Sequence, residues 1–550
     1  MKTLLYLCAA VCIALAWLLP IHYRPWATYT GELYTFFALF ALAATFWKTK
    51  LDVAKISLPL LLLAIIPFAQ LLFGQVYYFS IALLCMLFVF SFWLCINLGF
   101  SLSRSPESRG KTFLYLSYTF VASGVLTGLI AICQWLDFDS FLPFVMKISG
   151  TTRPFANFAQ PNNMATFLLM ALLACLYLYE QQQVKTRYLV ACAIPILIGI
   201  ALSQSRTSWV ASICILLYLA YAQYRDFIRL RWFYSVAWLF GFVGLIVLMP
   251  KLSQLMSQMS DMNIQESRDV VQRAGGDMSR LAIWKQMAHA VAAQPWFGYG
   301  WHQTSVAFVS ISDTVQGPVW IRSAHNFILD FLLWNGAIIG VPFLAYFAYW
   351  GIQLQKLAKS ALSVIGLLMV GVFVIHAMLE FPQNYAYFLL PVGLIIGILQ
   401  AGKLETATFQ LSPWFIRISL IIGVLLITVI YRDYANAAIQ LGQASKYEKS
   451  PEKITNHEPI YLLTEFKHRV AIIRLNPYQK VSEQTIQDTD RLVRSYPAKY
   501  HIIKYARLLA FNGYEAEARH QLQRLKKIYK IDMSYEDLFA PVHPTQPKIQ

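Results

Sequence analysis

Residues 77–100 read YYFSIALLCMLFVFSFWLCINLGF, 24 residues without a single charge. A bilayer's hydrocarbon core is about 30 Å thick, which about 20 apolar helical residues cross. The stretch is therefore a membrane span. Similar runs recur along most of the 550-residue chain, which is 58% hydrophobic and only 13% charged. That charged share is about half the usual value for a soluble protein, so the composition indicates a polytopic membrane protein. The net charge of +17 sits in short connections between apolar runs. Such clustering encodes topology and gives no reason to expect nucleic-acid binding. Cys8, Cys12, Cys85, Cys95, Cys133, Cys175, Cys192 and Cys214 all lie in apolar segments. They read as small buried hydrophobes, with no disulfide framework or zinc site.

The pattern predicts about thirteen spans, near 3–19, 32–47, 56–74, 77–100, 112–136, 163–180, 188–203, 207–223, 233–249, 325–348, 361–380, 385–400 and 413–430. Lys48, Lys50 and Lys55 fill one connection, and Arg104, Arg109 and Lys111 a second. Lys185 with Arg187, then Arg225, Arg229 and Arg231, then Lys356 with Lys359 fill three more. All five fall on one side of the membrane, the inside if the N-terminus is cytoplasmic. The first run could pass for a signal peptide with a weak Ala14-Leu15-Ala16 cleavage site. An uncleaved span is favoured, because its loss would invert the parity of every later loop.

Two domains are expected: a membrane domain over 1–430, with outside loops 137–162 and 250–324, and an outside helical domain over 431–550. The aromatic, proline-broken loop 137–162 is expected in the interface or dipping back into the protein. Leu281, Trp284, Ala288 and Val291 share a helical face, which predicts an amphipathic helix on the membrane over 278–293. In the tail, the spacing over 500–529 predicts two helices turning at Asn512-Gly513, similar to a tetratricopeptide hairpin.

Arginine in or beside a span is costly unless it faces a polar cavity or a partner. Arg206 sits at the tip of a helix hairpin in SQSRTSW, Arg153 lies in TTRPFANFAQPNN, and Arg280 begins the amphipathic helix. In SAHN, Arg322 precedes His325, which is expected to start a helix behind Ser323 as its N-cap. A guanidinium's five fixed donors suit a phosphate or pyrophosphate; the alternative for each is snorkelling to lipid headgroups. His325 could accept a proton near neutral pH or serve only as an interfacial residue. His376 and Glu380 are four apart on one helix face and could be a structural pair. Asp137 and Asp139 form a D-x-D, too short and common to establish a metal site. GYGW at 298–301 lacks the strand and helix context of a nucleotide loop.

RPFANFAQPNNMATFL, SQSRTSW, SRLAIWKQMAHAVAAQPWFGYGW, SAHNFILDFLLWNGAIIG and HAMLEFPQNYAYFLLPVG, in this order, resemble the O-antigen ligase/polymerase superfamily. Within it they resemble the bacterial protein O-oligosaccharyltransferases of the PglL type, as do LPIHYRPWATYTGE and the helical tail. The resemblance covers nearly the whole chain. It implies an all-α, GT-C-like membrane glycosyltransferase of the bacterial inner membrane with a periplasmic tail. It implies en bloc transfer of an oligosaccharide from undecaprenyl pyrophosphate to serine or threonine hydroxyls of exported proteins. The expected reaction inverts the anomeric carbon and uses neither metal nor cofactor. His325 would activate the acceptor hydroxyl, with Arg206 and Arg322 beside it. Arg206, Arg280 and Arg153 would hold the donor pyrophosphate, and Gln160, Asn162, Glu380 and Tyr385 would bind substrate. The partners are then the lipid-linked donor, an exported acceptor protein and membrane lipid. Two alternatives stay open: an O-antigen ligase or polymerase acting on a lipid-linked glycan, and a transporter, although no repeated halves are seen.

Overall fold

A computed structural model describes residues 2–148, 153–259, 279–315, 320–403, 405–448 and 450–539. The parts of the 250–324 loop at 260–278 and 316–319 therefore lie outside the described residues. The chain is an all-α, multi-pass membrane protein. Among the described residues, nine helices are long and apolar enough to cross a membrane, and three shorter apolar helices accompany them. Every predicted span coincides with a helix. The chain divides into two compact units. Unit 1 holds 1–65, 86–277 and 345–428; unit 2 holds 66–85, 278–344 and 429–550.

Unit 1 contains helices α1 (Lys2–Leu18), α2 (Tyr29–Ala44), the first half of α3 (Pro59–Leu72) and most of α4 (Phe79–Leu102). It continues with α5 (Pro106–Trp135), α6 (Pro161–Glu180), α7 (Thr186–Ser203), α8 (Arg206–Tyr224) and α9 (Trp232–Met259). Helix α6 is the core element, with every residue from Asn162 to Ala171 buried. It packs against α5 and α7. Those two approach closely because glycines face each other: a Cβ on Gly128 would lie 2.3 Å from the Pro195 carbonyl oxygen. Small residues at such crossings let backbones pack where the hydrophobic effect supplies no drive.

One two-stranded antiparallel sheet pairs β1 (Leu51–Ala54) with β2 (Thr408–Leu411), with Leu51 opposite Leu411. It was not expected from the apolar pattern, because four-residue strands in polar connections carry too little periodicity. Asn97 on α4 accepts from the Ala54 amide at 3.0 Å. Arg109 donates to the Ala401 carbonyl at 3.1 Å. The sheet thus joins two connections that the expected parity of the spans assigns to the same face.

Unit 2 holds α10 (Ser279–Ala293), α11 (Thr304–Ile311) and the first half of α12 (Phe327–Leu357). The remaining membrane helices, α13 (Ala361–Ala377) and α14 (Ala386–Gln400), belong to unit 1. Helix α15 (Pro413–Lys446) has 34 residues. That is roughly 50 Å at 1.5 Å per residue, so the helix runs well past the predicted end of the span at 430. The tail follows in unit 2 as α16 (Thr464–Arg474), α17 (Glu483–Ser495), α18 (Lys499–Phe511) and α19 (Glu515–Tyr529). The predicted hairpin turn is present, with Gly513 at φ 91°. Buried Asp433 on α15 anchors the segment leading into α16 by accepting from the amides of Tyr461, Leu462 and Leu463.

Helix α10 forms as predicted, but its protein-facing stripe is Ile283, Gln286, Met287 and Ala290, while Leu281 and Ala288 are exposed. Helix α12 is broken at Gly336, which has φ 62°. The amides of Tyr299 and Gly300 reach the Leu333 and Trp334 carbonyls at 2.7 and 3.1 Å. A Cβ on Gly336 would lie 2.2 Å from the Trp296 carbonyl oxygen. GYGW is therefore the strap that satisfies the broken turn of α12. Gln70 completes it, donating to the Trp334 carbonyl and accepting from the Trp301 amide.

Candidate active site

In unit 1 the aromatic segment before α6 folds back into the protein. Its irregular backbone needs internal partners, since apolar surroundings offer none. Gln134 supplies them: its amide nitrogen donates to the Met146 and Ala156 carbonyls, and its oxygen accepts from the Phe155 and Ala156 amides. Asn157 likewise donates to the Leu18 and Phe144 carbonyls and accepts from the Met146 amide. Ala156 and Ala159 take positive φ of 49° and 56°.

This turn delivers Arg153 to the hairpin between α7 and α8. Its Nε donates to the Ser203 carbonyl at 2.9 Å and its Nη2 to Asn162 Oδ1 at 3.3 Å. Asn162 donates onward to Glu380 Oε1 at 2.9 Å. Gln160 caps α6, its side-chain oxygen accepting from the Asn163 amide at 2.6 Å. Tyr385 stacks on Tyr387 with centroids 5.3 Å apart, and Asn163 donates to the Tyr387 hydroxyl at 3.4 Å. Arg153, Gln160, Asn162, Glu380 and Tyr385, read from two distant stretches, thus share one polar region. Arg206 is the half-buried first residue of α8, behind left-handed Gln204 and the cap Ser205, on the hairpin that Arg153 holds.

Other candidates in unit 1 have structural partners. Asp139 is buried and its Oδ2 accepts from the Ile148 amide at 2.7 Å, while Asp137 sits in a turn at φ 62°. The D-x-D therefore shapes a loop. His376 is fully buried, its ring edge-on to Phe388 at 6.3 Å, whereas Glu380 is bonded to Asn162. A further buried carboxylate was missed: Glu32 on α2 is 4% exposed, with Thr28 donating to its Oε1 at 2.6 Å.

Unit 2 carries Arg280, half-buried on α10, together with Arg322 and His325. The expected helix start is corrected here. Helix α12 begins at Phe327 behind Asn326, whose side-chain oxygen accepts from the Leu329 amide at 3.1 Å. His325 precedes it in left-handed backbone at φ 53°. Ser323 does not cap the helix. Its hydroxyl accepts from the His325 amide at 3.0 Å and donates to Asp330 Oδ2 at 2.5 Å. Asp330, fully buried, also accepts from the Ala324 amide at 2.9 Å and the Thr304 hydroxyl at 2.7 Å. A charge inside an apolar run is the signal that could have singled it out. Left-handed backbone in a non-glycine residue costs about 1–3 kcal/mol and persists where surrounding bonds over-determine it. The Asp330 carboxylate supplies those bonds and so sets the His325 backbone.

Arg322 does not stand alone at the mouth of the helix. Its guanidinium lies 5.0 Å from the Trp320 ring centroid and 4.3 Å from that of Tyr496 in the tail. Beyond it, Asp313 meets His520 at 2.8 Å and Lys527 at 3.3 Å. Burial raises the Asp313 carboxyl, but the His520 bond and the charges of His520 and Arg524 outweigh it and hold it below its usual value.

A family described as "O-Antigen ligase" matches residues 190–344, which include Arg206, Arg280, Arg322 and His325. One described as "Protein glycosylation ligase" matches 154–179, and "Virulence factor membrane-bound polymerase, C-terminal" matches 364–535. A general O-oligosaccharyltransferase of Acinetobacter baylyi is 38% identical over 98% of this chain and 94% of its own length. A ComP-specific O-oligosaccharyltransferase of the same organism is 25% identical over 87% of each chain. Since similarity at the higher level runs nearly end to end, the chain belongs to the bacterial O-oligosaccharyltransferases, membrane glycosyltransferases related to the O-antigen ligases.

Proposed function

We propose that the enzyme transfers an oligosaccharide en bloc from undecaprenyl pyrophosphate to serine or threonine hydroxyls of exported proteins, at the periplasmic face of the bacterial inner membrane. The observation that carries this reading is His325, held in left-handed backbone at the head of α12 by Ser323 and buried Asp330. Its ring takes the proton of the acceptor hydroxyl as that oxygen attacks the anomeric carbon. A positioned base helps because a neutral hydroxyl is a weak nucleophile. The bond from the anomeric carbon to the phosphate oxygen breaks, and undecaprenyl pyrophosphate leaves with the electron pair. A single displacement inverts that carbon. Arg206, Arg153, Arg280 and Arg322 are assigned the leaving group's charge, a role in which fixed cations replace a metal. Gln160, Asn162, Glu380 and Tyr385 are assigned to substrate.

The test is mass spectrometry of exported proteins from cells with and without the gene. A glycan-bearing serine or threonine peptide should vanish in the deletion. Purified enzyme should keep transferring glycan to that acceptor in excess EDTA; rescue by Mg²⁺ or Mn²⁺ after loss would reverse the metal-free assignment. The ligase-type match over 190–344 favours one second reading, transfer to a lipid-borne acceptor. Unchanged exported proteins together with altered lipopolysaccharide would establish that reading instead.

A further inference from the structure

The mechanism assigns nothing to the tail, yet the tail makes direct contact with the segment that carries His325, and a single ring organises that contact. Tyr496, at the end of α17, is half-buried. The guanidinium carbon of Arg322 lies 4.3 Å from its centroid and that of Arg469, from α16, lies 4.5 Å away. The Trp320 ring meets it edge-on at 4.7 Å. Trp320 is fixed in turn, its indole nitrogen donating to Ser305 on α11 at 3.0 Å. On the tail side, His501 is bonded to the Tyr496 carbonyl at 3.0 Å. An aromatic face attracts cations through its quadrupole and holds a guanidinium by stacking. From Arg322 the chain runs to His325 through Ser323 and Ala324, both bonded to Asp330.

We propose that Tyr496 is a positioning residue for transfer: it seats Arg322, and through the Arg322–His325 segment the tail sets the catalytic histidine. This rests on the reading of His325 given above. It makes the tail part of the catalytic unit. The ring matters and the hydroxyl does not, because the contacts that define the cluster are made by the face and edge of the ring.

The experiment uses the full-length enzyme purified in detergent, a lipid-linked oligosaccharide of known sugar sequence, and the acceptor protein identified by mass spectrometry. Initial rates are measured across acceptor concentration. Tyr496→Phe should stay within about twofold of wild type. Tyr496→Leu, apolar but without a π face, should lower kcat tenfold or more and leave the acceptor KM within about twofold. Hydrogen exchange over 499–529 should match wild type, showing that the helical hairpin remains folded. Wild-type kcat in Tyr496→Leu overturns the proposal. So does a raised KM at constant kcat, which would make the tail an acceptor-docking surface, and so does equal impairment in Tyr496→Phe. If Tyr496→Leu loses exchange protection, Trp320→Leu decides from the loop side, where a tenfold fall in kcat supports the proposal and wild-type kcat overturns it. His325→Ala runs in parallel. Activity in that variant defeats the reading of the site itself, whereas its inactivity beside an active Tyr496→Leu defeats only the role proposed for Tyr496.

Discussion

At the scale of single residues, the role proposed for His325 rests on a buried carboxylate, Asp330. Asp330 accepts three hydrogen bonds inside the protein, from Ser323, Ala324 and Thr304. Hydrogen bonds to a charged acceptor contribute about 1.5–3 kcal/mol each, and an unmatched buried donor is costly. Asp330→Asn keeps one acceptor oxygen and turns an NH₂ toward the remaining donors. It should reduce transfer about 100-fold at matched membrane protein level. Thr304→Val, which removes one donor, should cost about tenfold or less. Parallel transfer assays on the two variants check this order; equal activities would mean that the carboxylate does not organise His325. Arg206→Lys should also fail to transfer in the same assay, because a point charge does not reproduce the guanidinium fork. Full activity in that variant would remove Arg206 from the donor site.

At the scale of elements, the break in α12 is the feature that binds the 295–301 stretch to that helix. A helix broken within a membrane protein must satisfy its freed carbonyls, and the strap at 295–301 does so with Tyr299, Gly300 and Gln70. Gly336→Ala would place a Cβ 2.2 Å from the Trp296 oxygen in left-handed backbone. We expect a loss of about 2 kcal/mol or more, seen as lower thermal stability in detergent, whereas Gly351→Ala, with open space around it, should be neutral.

The tail carries a pH dependence of its own. Burial pushes the His501 imidazole down to about 4, against the bond to the Tyr496 carbonyl, and the nearby charges of Arg469 and Lys504 act in the same direction as burial. Its ordinary value is 6.5, so between 6.5 and 4 the unfolded chain binds the proton that the folded tail excludes. Stability is therefore full above about 6.5 and falls as the pH drops toward 4, by an amount on the order of 3 kcal/mol. Hydrogen exchange over 499–511 in the full chain should accelerate from pH 7 to pH 4.5 after correction for intrinsic rates. His501→Gln should flatten that dependence.

At the scale of the whole molecule, charge in the connections and contacts within each unit lead to the same sidedness. In unit 1 the sheet joins 51–54 to 408–411. In unit 2 the tail touches the start of α4, where the Ser80 amide donates to Thr464 Oγ1 at 3.1 Å. With a cytoplasmic N-terminus, the expected parity of the spans would put the first pair inside and the second outside. A reporter active only in the periplasm, fused after Gln550, should be active; activity from a cytoplasmic reporter at that position would invert the orientation and displace the proposed site. What the sequence determined by itself rests on local periodicity and on solvent: the all-α membrane class, the helices at the predicted spans and the helical hairpin of the tail. Apolar runs about as long as a bilayer is thick have one stable form, so no tertiary information was needed. Only the tertiary structure could decide what each polar group is bonded to. The left-handed His325, the role of Asp330, the break at Gly336 under the strap, and the hold of Tyr496 on Arg322 each join groups far apart in the chain or backbone states that a residue's identity does not specify. A buried donor or acceptor has to find a partner wherever the fold supplies one, and no periodicity along the chain records which partner that is.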